Sequence, residues 1–277
     1  MSEPSRAIFT IAIGHDPSYR YGLASIGAYA TRVNAQLIVV DSPIIQDERL
    51  NDPRHIAWLQ KLWVIQQLKT FDMVLYLDAD ILVNPKAPDL FSMMADEDVS
   101  LAAYDESHCD RLRYFSQAPI EECTSANQAS WCYLNAGVLF FSASTPLVSH
   151  IDRDVVVQWM LTGVPCPEQT YVSYLVNRHK LAWRQLPRTF NFMDERGNDR
   201  VHRLSHAFVH FAGYGFRKSK RQKRCHVMRA DWLKLTIEGE ITRILLSALY
   251  GVRDMFQGMR WSLSKKRLRS PRLRRWW

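Results

Sequence analysis

The sequence predicts an α/β fold: a mostly parallel central sheet with helices on both faces. Two observations carry this reading. Short apolar runs alternate with helical patterns from residue 7 to residue 211, and such alternation builds strand–helix–strand units around a parallel sheet. Residues 72–85, DMVLYLDADILVNP, form an apolar run that stops on two carboxylates, Asp78 and Asp80. A run of that length without polar alternation reads as a central strand buried on both faces.

The elements follow in order. Residues 7–13 read as the first strand and 21–31 as a helix whose small residues Gly22, Ala24, Gly27 and Ala28 allow close packing on a sheet. Residues 35–41 form a second strand ending on Asp41, and 55–69 a helix with Ile56, Leu59, Leu62, Trp63 and Leu68 at mainly helical spacing. Residues 73–77 are the buried third strand, 101–104 another short one, and 133–142 an apolar run opened by Asn135-Ala136-Gly137. Helices are expected over 150–161 and 168–179, the latter announced by Pro165 and Pro167. Residues 181–186 read as a strand, and 206–211 as a short one running into Gly213 and Gly215. Residues 232–258 are mostly helical, with Ile241, Leu245, Leu249, Val252 and Phe256 on one face.

The 277 residues fit one large domain, and 47% apolar content with nine Trp, eleven Tyr and twelve Phe builds a sizeable core. The net charge of +8 is unevenly placed. Residues 255–277 hold eight Lys/Arg and no acid, so the other 28 basic residues match the 28 acids and the body is formally neutral. The tail, RWSLSKKRLRSPRLRRWW over 260–277, sets cations beside Trp261, Trp276 and Trp277. That composition fits an anionic membrane surface; phosphate neutralisation on nucleic acid is the weaker alternative. The expected division is therefore 1–230 as the catalytic domain and 231–277 as an amphipathic helix with a basic aromatic tail. Five cysteines without Cys-x-x-Cys spacing speak against a zinc site or disulfide framework and for a reducing compartment. The opening residues show no signal-peptide pattern, and no stretch reaches transmembrane length. The expected location is cytoplasmic, peripherally attached to the membrane.

Asp-x-Asp occurs three times, at Asp78/Asp80, Asp96/Asp98 and Asp152/Asp154. The second lies in a polar stretch and reads as a solvated turn. The third precedes an apolar helical pattern and reads as a helix start. Only the first follows a buried strand. Two carboxylates at a strand's carboxyl end form a hard oxygen site suited to Mn²⁺ or Mg²⁺. Such ions commonly arrive with phosphate, which points to a nucleoside-diphosphate substrate.

Four patterns then line up in order: Asp78-Ala79-Asp80, Asn135-Ala136-Gly137-Val138, Glu168-Gln169, and His210-Phe211-x-Gly213. Over about residues 7–216 the chain resembles the family 8 glycosyltransferases of GT-A fold, the group of glycogenin and the bacterial lipopolysaccharide galactosyl- and glucosyltransferases; Lys61-Leu62 is a further match. The resemblance implies a hexose transfer from a nucleoside-diphosphate sugar, a UDP-sugar, to a hydroxyl of a glycan or glycolipid acceptor, with retention of configuration. It implies a divalent metal on Asp78, Asp80 and His210, around Ala79. It places Gly14, Asp16 and Tyr19 by the nucleotide base, Lys61 by phosphate or a sugar hydroxyl, and Asn135, Ala136 and Gly137 by the sugar. Gln169 matches the glutamine beside the reacting carbon, with Glu168 in place of the usual Asp. Gln169, Glu168 and Asn135 are thus the catalytic candidates.

Each residue also admits a plainer role. His210 fits a strand-end histidine bonded to a carbonyl, Lys61 a helix-surface lysine, Gly14-His15-Asp16 a strand-to-helix turn, and Asn135-Ala136-Gly137 another turn. One departure stands out: where the family carries a lysine six residues after the histidine, this chain has Phe216. Lys218, just beyond and near Gly213, is expected to reach the diphosphate instead. Two rival functions remain at this stage. A strand followed by Asp-x-Asp also resembles haloacid-dehalogenase phosphatases, with Asp78 as nucleophile, although here the strand is third and no Asp-Asp pair exists. A non-catalytic binding protein acting through its tail is the other.

Overall fold

The structure is a computed structural model describing residues 4–14, 16–96, 99–119, 130–193, 203–213 and 223–236. A six-stranded sheet forms the centre, in the order β2 (Gln36–Val40), β1 (Arg6–Ile11), β3 (Met73–Leu77), β6 (Leu134–Ser142), β5 (Leu101–Asp105) and β7 (Arg184–Gln185). The pairs β1–β2, β1–β3 and β5–β7 are parallel, while β6 runs antiparallel to both β3 and β5. Five strands therefore share one direction and β6 opposes them.

Side chains alternate across the strands as a two-sided core requires. Val74 and Tyr76 of β3 join Ala7 and Phe9 of β1 in one apolar cluster, while Leu75 and Leu77 join Ile8 in the other. The first face is covered by α2 (Pro53–Gln66), α4 (Arg153–Leu161) and α5 (Pro167–Arg178), the second by α1 (Tyr19–Arg32) and α3 (Leu90–Asp96). Helix starts follow side-chain chemistry. Asp52 caps α2 by accepting from the Arg54 N–H at 2.8 Å, with Pro53 at the first helical position. Asp152 caps α4 through the Asp154 and Val155 N–H groups, as expected for the third Asp-x-Asp copy. In the second copy, Asp96 is the last residue of α3, while 97 and 98 lie outside the described residues.

The elements arise where the sequence pattern puts them, with corrected ends. The first helix begins at Tyr19 rather than 21, the fourth at Arg153 rather than 150 because residues 146–150 form a 3₁₀ turn, and the strand expected over 181–186 shrinks to two residues. Two elements were not anticipated: α3, and β4 (Ile81–Val83), which pairs antiparallel with β8 (Phe208–His210) in a small second sheet. On that sheet Leu82, Val209 and Phe211 pack against Val227 and Met228 of α6 (Arg224–Thr236). A salt bridge of Arg203 to the fully buried Asp231, with Nε at 2.7 Å, ties α6 to the body. This helix runs through the expected boundary at 230/231. Residues 237–277, including the basic tail, lie outside the described residues. No helix among those described is long and apolar enough to cross a membrane.

Candidate active site

Three strand ends converge because of strand direction. The carboxyl end of β3 carries Asp78. Since β6 runs the other way, its opening residues lie beside that end: Leu77 pairs with Val138, and the Asp78 N–H donates to the Gly137 carbonyl at 2.8 Å. The chain then turns into β4, where Ile81 pairs with His210 and the Phe211 N–H donates to the Asp80 carbonyl at 3.0 Å. Two short ladders thus bring residue 210 to the acidic tip across a long sequence gap.

There, one atom each of Asp78, Asp80 and His210 lies within 4.8 Å of the others. His210 Nε2 stands 3.5 Å from Asp78 Oδ2 and 3.3 Å from Asp80 Oδ1. Its other nitrogen, Nδ1, meets the Asn191 side-chain oxygen at 2.9 Å. Asn191 donates in turn to Asn135 Oδ1 at 2.7 Å, which also accepts from the Gly137 N–H at 2.8 Å. Once the ring is neutral, an Nδ1–H donating to Asn191 leaves the Nε2 lone pair turned toward the carboxylates, the usual arrangement behind a ligating histidine. Glycine at 137 is required by space. A Cβ there would lie 2.3 Å from His210 Cε1 and 2.9 Å from Asp78 Oδ2. Two hard oxygens and an imidazole nitrogen within 4.8 Å of one another fit Mn²⁺ or Mg²⁺.

Lys61 is not on the surface. Its side chain is buried, which rules out the plainer alternative of a helix-surface lysine; Nζ lies 3.3 Å from Asp78 Oδ1, 3.3 Å from Glu168 Oε1 and 3.1 Å from the Ala136 carbonyl. The Tyr76 hydroxyl donates to the same Asp78 oxygen at 2.5 Å. Burial alone would push the Asp78 carboxyl up, but Lys61 and His210 hold it well below the usual carboxylate range. Burial works against the His210 charge too, yet the two aspartates prevail and push its pKa up to about 9.

Ala136 can serve the site because the β5–β6 register breaks between Ala103 and Tyr104, where pairing jumps from Leu139 to Asn135. Its N–H, freed from that ladder, donates to Gln169 Oε1 at 3.0 Å, and Gln169 Nε2 donates to the buried Glu106 at 3.0 Å. Glu168 has its second oxygen, Oε2, buried without a hydrogen-bond partner among the described residues. Gln169, Glu168, Asn135, Ala136, Gly137, Lys61, Asp78, Asp80 and His210 therefore form one connected cluster.

Asp16 and Tyr19, expected at the nucleotide base, join it through α6. Asp16 accepts from the Ser18 N–H at 2.8 Å and from Arg224 Nη2 at 2.6 Å, while Arg224 Nη1 donates to Asp80 Oδ2. The Arg224 guanidinium lies 6.0 Å from the centre of the Tyr19 ring. Ala79 packs its carbonyl against α1, where a Cβ on Gly22 would lie only 2.0 Å from it. Gly14 and Gly213 adopt φ of +99° and +56°, and a Cβ on either would meet nothing within 4 Å among the described residues. His15, Gly215 and Lys218 lie outside the described residues.

Sequence reasoning missed four residues here. Tyr76 was recoverable, being two positions before Asp78 and so on the same face of β3. Glu106 was recoverable as well, as an acid just past the carboxyl end of β5. Asn191 and Arg224 carry no local signal, since each reaches the cluster only through tertiary packing.

Comparisons with known proteins agree with this architecture. The model of glycosyl transferase family 8 matches residues 23–214. A solved glycosyltransferase involved in glycosylation of the major capsid of PBCV-1 is 16% identical with a TM-score of 0.50, the match covering 81% of this chain and 98% of that one. The galactosyltransferase LgtC, solved with donor and acceptor sugar analogs, is 18% identical with a TM-score of 0.49, over 86% of this chain and 99% of that one. No curated protein sequence matches. The phosphatase alternative is not favoured by these findings. The fold is of the GT-A type, the protein is a glycosyltransferase, and the chain belongs to glycosyl transferase family 8.

Proposed function

We propose that this glycosyltransferase moves a hexose from a UDP-sugar to a hydroxyl of a glycan or glycolipid, with retention of configuration, at an anionic membrane face reached through residues 260–277. The observation that carries the donor half is the convergence of Asp78, Asp80 and His210 from three strand ends within 4.8 Å. These three would hold Mn²⁺ or Mg²⁺, which as a Lewis acid would offset the charge developing on the departing diphosphate.

The chain's own residues prepare that position. Lys61 keeps Asp78 ionised, and Asn191 and Asn135 orient the His210 ring. Gly14, Asp16 and Tyr19 receive the base side, and Gly137 and Ala136 keep the backbone close to the sugar. Gln169, locked between the Ala136 N–H and Glu106, has its amide fixed beside the reacting carbon. Glu168 holds Lys61 with one oxygen and keeps the other available to a sugar hydroxyl. Lys218 remains a candidate for diphosphate binding.

The test is UDP release with Mn²⁺ across a panel of UDP-sugars, with and without EDTA. Release that depends on metal and is abolished in Asp80→Asn supports the reading. Turnover unaffected by EDTA, or no turnover with any nucleotide sugar, overturns it.

A further inference from the structure

The family's lysine after the histidine is replaced by Phe216, yet a diphosphate carries negative charge that a chain of this kind has to meet. We propose that Arg224, the first residue of α6, is a cation that receives the donor's diphosphate, and that it rests on Asp80 and Asp16 until a divalent ion takes Asp80. The inference rests on the donor-site reading above and goes beyond it in assigning a residue outside the family's motif positions.

Arg224 bridges Asp16, on the turn that receives the base, and Asp80, at the metal position. In a nucleoside-diphosphate sugar the diphosphate is the segment joining those two ends, so it has to pass the place where this guanidinium lies.

The contact to Asp80 cannot persist unchanged. Arg224 Nη1 occupies Asp80 Oδ2, while Asp80 Oδ1 faces His210 Nε2 at 3.3 Å. A divalent ion at Asp80 draws that carboxylate's charge to itself, and the guanidinium loses its main partner beside an arriving anion. Planar and with five donors, it suits two phosphate oxygens as well as it suits two carboxylates. Val227 and Met228 pack into the small second sheet and Asp231 is locked to Arg203, so α6 holds the Arg224 backbone at the site, and the partly exposed side chain reaches both carboxylates from there.

The experiment uses the full chain and reads binding by calorimetry. Probes are Mn²⁺ alone, UDP with saturating Mn²⁺, and uridine. Arg224→Met should weaken UDP by about 10- to 100-fold, the usual range for losing charged hydrogen bonds. It should leave uridine unchanged and tighten Mn²⁺ several-fold by removing Asp80's competing partner. Opposite signs for UDP and Mn²⁺ separate this from a structural role, which would weaken all three. Arg224→Gln, which keeps amide donors for the aspartates without the charge, should show the same split. UDP affinity equal to wild type in either variant overturns the proposal, as does parallel loss of all probes or failure of both variants to fold. Failure of the wild type to bind UDP with Mn²⁺ overturns the donor reading itself and the proposal with it.

Discussion

Gly137→Ala tests the acidic tip more sharply than removal of a ligand. The substitution adds one methyl group and leaves Asp78, Asp80 and His210 in place. Gly137 does not adopt a left-handed φ, so alanine is compatible with the backbone and would by itself be neutral or slightly stabilising. The cost is steric. The new Cβ would start 2.3 Å from His210 Cε1 and 2.8 Å from Nδ1, whereas ordinary contact begins at 3.4 Å, so roughly 1 Å has to be made up. The ring cannot simply turn away, because Nδ1 is held by Asn191 at 2.9 Å and the residue is only 4% exposed. If β6 yields instead, it strains the Asp78 N–H bond to the Gly137 carbonyl at 2.8 Å. Either response displaces a ligand by several times the roughly 0.2 Å that metal sites tolerate, and misplacement of about 1 Å can lower turnover on the order of 100-fold. The assays are Mn²⁺ calorimetry, thermal melting and UDP release. Loss of Mn²⁺ affinity with a cooperative melt is expected. Wild-type Mn²⁺ affinity and turnover in Gly137→Ala would refute the geometry argued here.

Three further outcomes follow from the same structure. Lys61→Met leaves Asp78 and Glu168 without their buried cation, and should destabilise the fold by about 3–5 kcal/mol in denaturant unfolding, whereas a surface lysine would cost almost nothing. In metal-free protein the pKa of His210 is raised from 6.5 to about 9, so its contribution to stability is complete below pH 6.5 and is lost as pH rises through 9; the melting temperature in EDTA should fall over that window in wild type and stay flatter in His210→Gln, and equal slopes would count against the pairing. Deleting residues 260–277 should release the protein from anionic vesicles while donor hydrolysis persists, and unchanged vesicle binding would sink the anchoring role.

How much of this was legible depended on whether the signal was local. The buried strand β3, its aspartates and the Asp152 cap are written in adjacent residues, and their positions follow from periodicity and capping chemistry. The antiparallel course of β6 is not, because an apolar run reads the same in either direction, yet that course brings Asn135-Ala136-Gly137 to the end of β3. The strand β4 is only three residues long and exists by pairing with β8. Lys61 shows the converse limit. Its place on an amphipathic helix is readable, but whether the cation faces water or the carboxylates of Asp78 and Glu168 depends on Glu168, which arrives from a different helix.

The charges around the acidic tip explain how such a site can stand before an ion reaches it. Asp16, Asp78, Asp80 and Glu168 lie close together, and buried carboxylates without partners would be costly. Lys61, His210 and Arg224 answer them, but each competes with a divalent ion in a different way. Lys61 is held on three sides, by Asp78, Glu168 and the Ala136 carbonyl, and serves the site by staying. His210 has to give up its proton to become a ligand, so metal uptake releases a proton wherever the imidazolium is populated beforehand. Arg224, on a long and partly exposed side chain, has to move. Metal affinity should therefore rise with pH until His210 is neutral, and the part of the competition that remains at high pH should belong to Arg224. In Arg224→Met the pH dependence of Mn²⁺ binding should persist with its absolute affinity raised. A variant in which the pH dependence itself disappears would mean that the two cations act as one unit and that the division of roles is wrong.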